Sequence, residues 1–344
     1  MTKIKGLATG IGSLPHKDAE AALDLIFKYC PQIPFWPQLP KRDVREGMLA
    51  QFSQNLPCVE VSSDGLFFNP ADKEKKLEVF YEHIISNDIK YFGIGEDFAS
   101  GLHAFCQRLK NSNLKNIEFI KAHLTGPFTF AAGIKDEKGT ALLHEPIFMQ
   151  AILKGLAMKA LWQISIFKNF GKKIILFLDE PYLGCFGSAY TPINREDVIK
   201  TLSDLTKDIK SQNLLLGVHC CGNTDWSIFT DIPGVDIISF DAFSYLAKLM
   251  LYADNLSEFF KRGGILCWGG VPTLEFSGNE TPQSLVKMIG SGIEVLSKKG
   301  VSRELLIENL LISPACGLGT LDASKSQSIF ALLSETSALL KKLS

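Results

Sequence analysis

Short apolar runs alternate with longer amphipathic segments along almost the whole chain, which is the pattern of repeated βα units. The runs that predict strands are LATGIG, PCVEVS, FIKAHLT, KKIILFLDE, NLLLGVHC, VDIISFD, GGILCWGG and NLLIS, eight in all. Between them, apolar residues spaced three and four apart predict helices over 18–29, 73–86, 146–170, 195–211, 245–261, 282–299 and 324–342, several opened by Asp, Ser, Thr or Pro and closed by Gly. A ninth apolar run, KYFGIG, falls between the second and third strands and is read as an excursion that leaves the count at eight. The proline-rich stretch CPQIPFWPQLPKR, residues 30–42, is too long for a tight connection and reads either as a packed loop or as a lid at the mouth of the fold.

With 344 residues, 46% of them hydrophobic, the chain has enough apolar surface for two ordinary domains or one large α/β barrel. No Pro/Gly/Ser-rich linker, low-complexity tract or fixed-period repeat divides it, so the expectation is a single (β/α)8 TIM barrel spanning residues 1–344. The formal net charge is −1 and the basic residues are scattered, which argues against nucleic acid or an anionic membrane as partner. The opening MTKIKGLATG lacks a signal-peptide apolar core, and no run approaches the roughly 20 apolar residues of a membrane span, so a cytoplasmic location is expected. Eight cysteines without the spacing of a disulfide framework are expected to be reduced, most of them as core residues.

In a barrel of this type, chemistry gathers at the C-terminal ends of the strands. There the sequence concentrates soft ligands. In VHCC, side-chain alternation points His219 and Cys221 the same way and Cys220 the other way. One strand later VDIISFDAF supplies Asp241, and the last strand runs into SPACGLG with Cys316. His219, Cys221, Asp241 and Cys316 thus come from three strand ends, and a Cys2His set with a carboxylate or an exchangeable fourth position suits Zn²⁺ rather than Mg²⁺ or Ca²⁺. The alternatives are a buried structural cysteine pair with a satisfied histidine, and for Asp241 a helix cap or a substrate contact. A zinc ion already neutralised by two thiolates makes hydroxide poorly but ionises a further thiol, whose free pKa is about 8.5. The chemistry implied is thiol activation for alkyl transfer.

TGIGSLPH, HLTGPFTF, FLDEPYL, VHCCGN and LLISPACGLGT, in that order and spread over residues 6 to 320, resemble the signature segments of the catalytic barrel of cobalamin-independent methionine synthase, within a wider group that includes uroporphyrinogen decarboxylase and zinc-dependent corrinoid methyltransferases. The resemblance implies a TIM barrel without the family's additional N-terminal barrel, zinc held by His219, Cys221 and Cys316, and Asp241 in place of a family glutamate ligand. It implies that Ile11, Gly12 and Ser13 hold the carboxylate of homocysteine and that Asp179 pairs with its ammonium. The family's second ammonium carboxylate has no motif here; Glu60, at the end of CVEV, is assigned by position alone. From the residues themselves, Gly10 and Gly12 also suit a tight turn, and the Asp179–Glu180 pair before Pro181 equally suits a helix N-cap.

One departure bears on the methyl donor. Where the folate-using enzymes carry a histidine that helps protonate the departing folate nitrogen, CWGGVPT places Trp268 or Gly269. A methylcorrinoid, borne on a partner protein or free, needs no such proton and is the donor expected over methyltetrahydrofolate; Trp268 as a plain hydrophobic wall is the alternative. Rival readings are a zinc methyltransferase for another thiol such as coenzyme M, which would leave Asp179 without an ammonium to pair; a metal-free decarboxylase of the uroporphyrinogen type, for which TGIGSLPHKD lacks the arginines; and a barrel kept for binding or structure. Of the remaining histidines, His16, His83, His103, His123 and His144 carry no partner motif, and His123 is expected to be a satisfied core imidazole or to line the barrel.

Overall fold

The computed structural model describes residues 4–63, 65–136, 138–188, 193–211 and 213–343. Its strands are β1 (Leu7–Ala8), β2 (Val59–Ser62), β3 (Gly65–Phe68), β4 (Phe119–Thr125), β5 (Lys173–Asp179), β6 (Leu214–Cys220), β7 (Ile237–Phe240), β8 (Ile265–Val271) and β9 (Leu310–Pro314). Seven of them form one sheet in the order β1-β9-β8-β7-β6-β5-β4, every neighbouring pair parallel. Helices cross between successive strands, because parallel neighbours need a crossover connection and each crossover helix buries its apolar face on the sheet. The result is an α/β fold of the TIM-barrel type.

The two edges of the sheet, β1 and β4, are joined by the proline-rich stretch. Glu118 and Phe119 N–H both donate to Gln32 O, and Lys121 N–H donates to Pro34 O, along the β4 side. On the other side Thr9 Oγ1 donates to Ile33 O, Gln38 N–H to Gly12 O and Leu14 N–H to Gln38 O. Residues 32–38 therefore run where the second barrel strand belongs. Pro34 and Pro37 remove N–H groups that a regular ladder would need, which is why the stretch reads as a loop in the sequence. The run expected to be that strand, PCVEVS, instead forms β2, paired antiparallel with β3 in a separate two-stranded ribbon. KYFGIG contains no strand; its Phe92 and Ile94 are buried against the core.

Side-chain alternation then divides the strands' residues into two layers. Leu7, Ile33, Phe119, Ile175, Phe177, Ile237, Ile265, Cys267 and Leu311 fill the inside of the curl, with Leu215 packed on them. The intervening positions face the helices. Trp268 is one of these: its ring packs 5.6 Å from that of Phe240 and against Gly292 of helix Pro282–Lys298, where a Cβ would come within 3.0 Å of it. Trp268 does not enter the site; it is a buried apolar wall in the layer between sheet and helices.

Most predicted helices are present. The one expected over 245–261 is two, Ala242–Leu249 and Ala253–Lys261, joined by a 3-10 turn at Met250–Tyr252. Ser100–Lys110 lacks a capping side chain at its start, and Pro127–Ala132 and Arg303–Glu308 are too short to show a helical period; all three escaped the pattern. All eight cysteines are free thiols. Among the described residues no helix is long and apolar enough to cross a membrane.

Candidate active site

Two strand ends deliver the soft donors. β6 and the residue after it carry His219 and Cys221, and the turn after β9 carries Cys316; their ligand atoms all lie within 4.8 Å of one another. His219 is buried, and its Nδ1 lies 2.9 Å from Ser239 Oγ on β7. With Nδ1 donating to that hydroxyl, Nε2 turns its lone pair toward the two sulfurs, and Nε2 has no hydrogen bond of good geometry. Cys220, facing the opposite way, is fully buried and donates weakly to Gly222 O.

The two thiols are in hydrogen-bonding contact. Hydrogen bonding from Cys221 draws the Cys316 thiol down, so that it ionises readily, while the same contact and burial push Cys221 up. An ionisable sulfur beside a buried, unpartnered imidazole nitrogen and a second sulfur is the donor chemistry that zinc takes, so the residues present fit that ion. Asp241 is not brought to this group. Its carboxylate accepts from Ser244 N–H at 2.8 Å and caps helix Ala242–Leu249, which corrects its assignment as a fourth ligand. The cap was the alternative already contained in the sequence.

The cluster opens into a cavity of about 630 Å³ whose lining includes Ile11, Ser13, Gln38, Lys41, Met48, Asp179, Thr273 and Leu274. Asp179 is buried there with Oδ1 lacking a hydrogen-bond partner, and burial raises its pKa to about 6 against the opposing pull of His219 and Lys121. Its neighbour Glu180 points elsewhere, accepting from Phe128 N–H, Thr129 N–H and Thr129 Oγ1 at the start of helix Pro127–Ala132. The pair thus divides its work: Asp179 faces the cavity and Glu180 holds a helix end. A Cβ at Gly126 would come 2.3 Å from the Glu180 carboxyl carbon, so that glycine is required by the clamp.

The turn Gly10–Ser13 sits across the cavity from β5. Gly10 abuts the Phe35 ring and Gly12 the His123 ring, each closer than a Cβ would allow. Ser13 ties this turn to the Cys316 loop: its carbonyl accepts from Leu318 N–H at 2.9 Å and its hydroxyl from Gly319 N–H at 3.2 Å. Glu60 does not join the site. It lies on β2, bonded to Asn69 Nδ2 at 2.8 Å and Lys76 Nζ at 3.1 Å, and lines two other surface hollows. His123 is a core imidazole as expected, stacked 3.8 Å from Trp36, but both its ring nitrogens lack hydrogen bonds.

Sequence reasoning missed three residues here. Gln38 lies in the stretch whose sequence reads as a packed loop or a lid; its amide nitrogen donates to Gln51 Oε1 at 2.9 Å while the side chain lines the cavity. Ser239 is an unremarked polar position two before Asp241, legible only once β6 and β7 are in register. Lys121 is a charged residue inside an otherwise apolar strand run, a signal present in FIKAHLT and not used.

A parallel barrel with a Cys2His cluster and a carboxylate-lined cavity at the C-terminal ends of its strands is the class of protein that fold and site define. No family model matches the chain. In sequence it is similar to a methionine synthase from Methanocaldococcus jannaschii, with 25% identity over 205 residues that make up 59% of each chain; the chain thus spans about 59% of that relative's length. Among solved structures it is similar to a putative vitamin-B12-independent methionine synthase from Listeria monocytogenes, with TM-score 0.51 and 15% identity over 94% of this chain and 84% of that one, which shows a shared fold. A B12-independent methionine synthase from Shewanella sp. W3-18-1 matches over 70% of this chain and 66% of its own, with TM-score 0.48 and 17% identity. The resemblance to methionine synthases carried by the motifs is thus shown by comparison as well.

Proposed function

We propose that this chain, as one catalytic barrel over residues 1–344, is a zinc-dependent thiol S-methyltransferase that converts homocysteine to methionine. The observation that carries the reading is the gathering of His219, Cys221 and Cys316 within 4.8 Å at a cavity that also holds the unpaired Asp179 carboxylate and the Gly10–Ser13 turn. A zinc ion held by His219 Nε2 and the sulfurs of Cys221 and Cys316 would supply Lewis acidity, keeping a thiol ionised at neutral pH. Asp179 binds the ammonium of the amino acid, and the backbone of Ile11, Gly12 and Ser13 binds its carboxylate, so the sulfur end is delivered toward the cluster. Sulfur then attacks the donor's methyl carbon. The S–C bond forms as the donor–methyl bond breaks, the bonding pair stays with the donor, and the thiol proton leaves to solvent.

The methyl donor in this reading is a methylcorrinoid, free or on a partner protein. What supports it is the β8 end, where the inward position is Gly269: a Cβ there would come 2.5 Å from Phe240 O and 2.9 Å from Ala315 Cα. No acid side chain fits at that position, and Trp268 beside it faces the helices. A tertiary amine leaving group needs a proton, whereas cobalt(I) leaves without one.

The test is metal content and turnover together. Protein purified without chelator is expected to carry about one zinc per chain, with large losses in Cys221→Ser and Cys316→Ser, and to form methionine from homocysteine and methylcobalamin. Absence of zinc would overturn the site; efficient turnover with methyltetrahydrofolate and none with methylcobalamin would overturn the donor.

A further inference from the structure

Among the described residues, the mostly apolar interior of the curl holds one buried lysine. Lys121, on β4, is fully buried; its Nζ donates to Ile11 O at 2.6 Å and lies 4.3 Å from the centre of the Phe177 ring. Burying an ammonium group costs several kcal/mol unless partners compensate, so a lysine at this depth calls for a reason. Its hydrogen-bond acceptor is not a carboxylate but a peptide carbonyl in the Gly10–Ser13 turn.

That choice of acceptor has a geometric consequence. In a trans peptide the C=O and the following N–H point in opposite directions. With Ile11 O drawn down into the barrel by Lys121, the Gly12 N–H points up toward the mouth, where Ile11 and Ser13 line the cavity. The next two carbonyls are pinned as well, Gly12 O by Gln38 N–H at 3.1 Å and Ser13 O by Leu318 N–H at 2.9 Å. Among the described residues no protein acceptor takes the N–H of Gly12 or Ser13. With these three carbonyls taken up by other groups, the Gly12 and Ser13 N–H groups are left to meet an anion, and the buried ammonium adds a positive field beneath them.

We propose that Lys121 is a positioning residue for the substrate's α-carboxylate: it turns the Ile11–Gly12 peptide so that its N–H meets the anion, and its charge favours that anion from below. The inference rests on the amino-acid thiol reading given above. It separates the carboxylate end of the substrate from the thiol end, and so it has a readout that general damage to the fold would not produce.

The experiment measures calorimetric binding of homocysteine and of 3-aminopropane-1-thiol, which has the same thiol and ammonium but no carboxylate, to the zinc-loaded protein, wild type, Lys121→Met and Lys121→Gln. Wild type is expected to favour homocysteine. Lys121→Met should bind homocysteine about tenfold or more weakly, the scale of a charge-assisted contact, with the carboxylate-free thiol and the zinc content unchanged. Lys121→Gln keeps a donor for Ile11 O without the charge and should fall between; it also serves if the methionine variant fails to fold. Equal weakening of both thiols, or no change in either, overturns the proposal. Wild type that does not distinguish the two thiols overturns the amino-acid reading itself, and is recognised because the failure precedes any substitution.

Discussion

Ser239 Oγ stands 2.9 Å from His219 Nδ1, and the two residues are direct partners in the β6–β7 register. A strand pairing set by hydrophobic packing thus also fixes which imidazole nitrogen is left for the two sulfurs. Removing an outer hydrogen bond of this kind commonly weakens metal binding 10- to 100-fold. Ser239→Ala is expected to lose zinc affinity by about that factor, read by competition with a chromogenic chelator, while the far-ultraviolet circular dichroism spectrum stays that of wild type. Unchanged affinity would show that packing alone holds the ring.

Asp241 gives the contrasting case. Its carboxylate is spent on Ser244 N–H at the helix start, so Asp241→Ala should cost about 1 kcal/mol of stability, the usual loss on removing a cap. Zinc content should remain that of wild type. Denaturant unfolding and metal analysis on the same preparation check both; a large loss of zinc would restore Asp241 to the ligand set.

Lys159 is fully buried in helix Pro146–Phe167, with Nζ donating to Gln54 O at 2.6 Å, and burial lowers its pKa to about 7. The folded protein therefore binds fewer protons than the unfolded chain between about pH 7 and the ordinary lysine range near 10.4. Stability should rise with pH through that window, by roughly 1 kcal/mol per unit from this group. Lys159→Met should flatten that rise. Urea unfolding at pH 7, 8 and 9 measures it, and equal slopes in the two proteins would rule out the assignment.

Ile33 tests the proline-rich stretch as a barrel strand. It is fully buried among the inward residues of the sheet, so Ile33→Ala should cost about 2–5 kcal/mol, the range for a large-to-small change in a packed core. Exposed Phe67 on β3 should tolerate Phe67→Ala with a much smaller loss. Comparable losses at the two sites would mean that residues 32–38 are only a covering loop.

Much of this protein was legible before any fold was known. Runs such as KKIILFLDE and GGILCWGG are apolar on both faces, as strands buried between a barrel interior and a helix layer must be, and their alternation with amphipathic segments dictates a parallel α/β fold. Soft donors at the ends of such runs identified His219, Cys221 and Cys316, because strand ends and side-chain alternation are local properties. The second barrel strand was hidden, since Pro34 and Pro37 erase the local signature and only the edges of β1 and β4 supply its hydrogen-bond partners.

Tertiary structure alone decided the rest. Whether a carboxylate caps a helix or faces a cavity depends on where its side chain meets its neighbours, which separated Asp179 from Glu180 and withdrew Asp241 from the metal group. Glu60 was placed by a pairing with β3 that the assumed barrel strand did not contain. Lys121 shows the limit most directly: the sequence says that a charge lies within an apolar strand, but only the closure of the sheet brings Ile11 O to it. Local pattern determines which segments are strands and helices because it acts over a few residues; what each polar group binds is determined by which elements the fold packs against it.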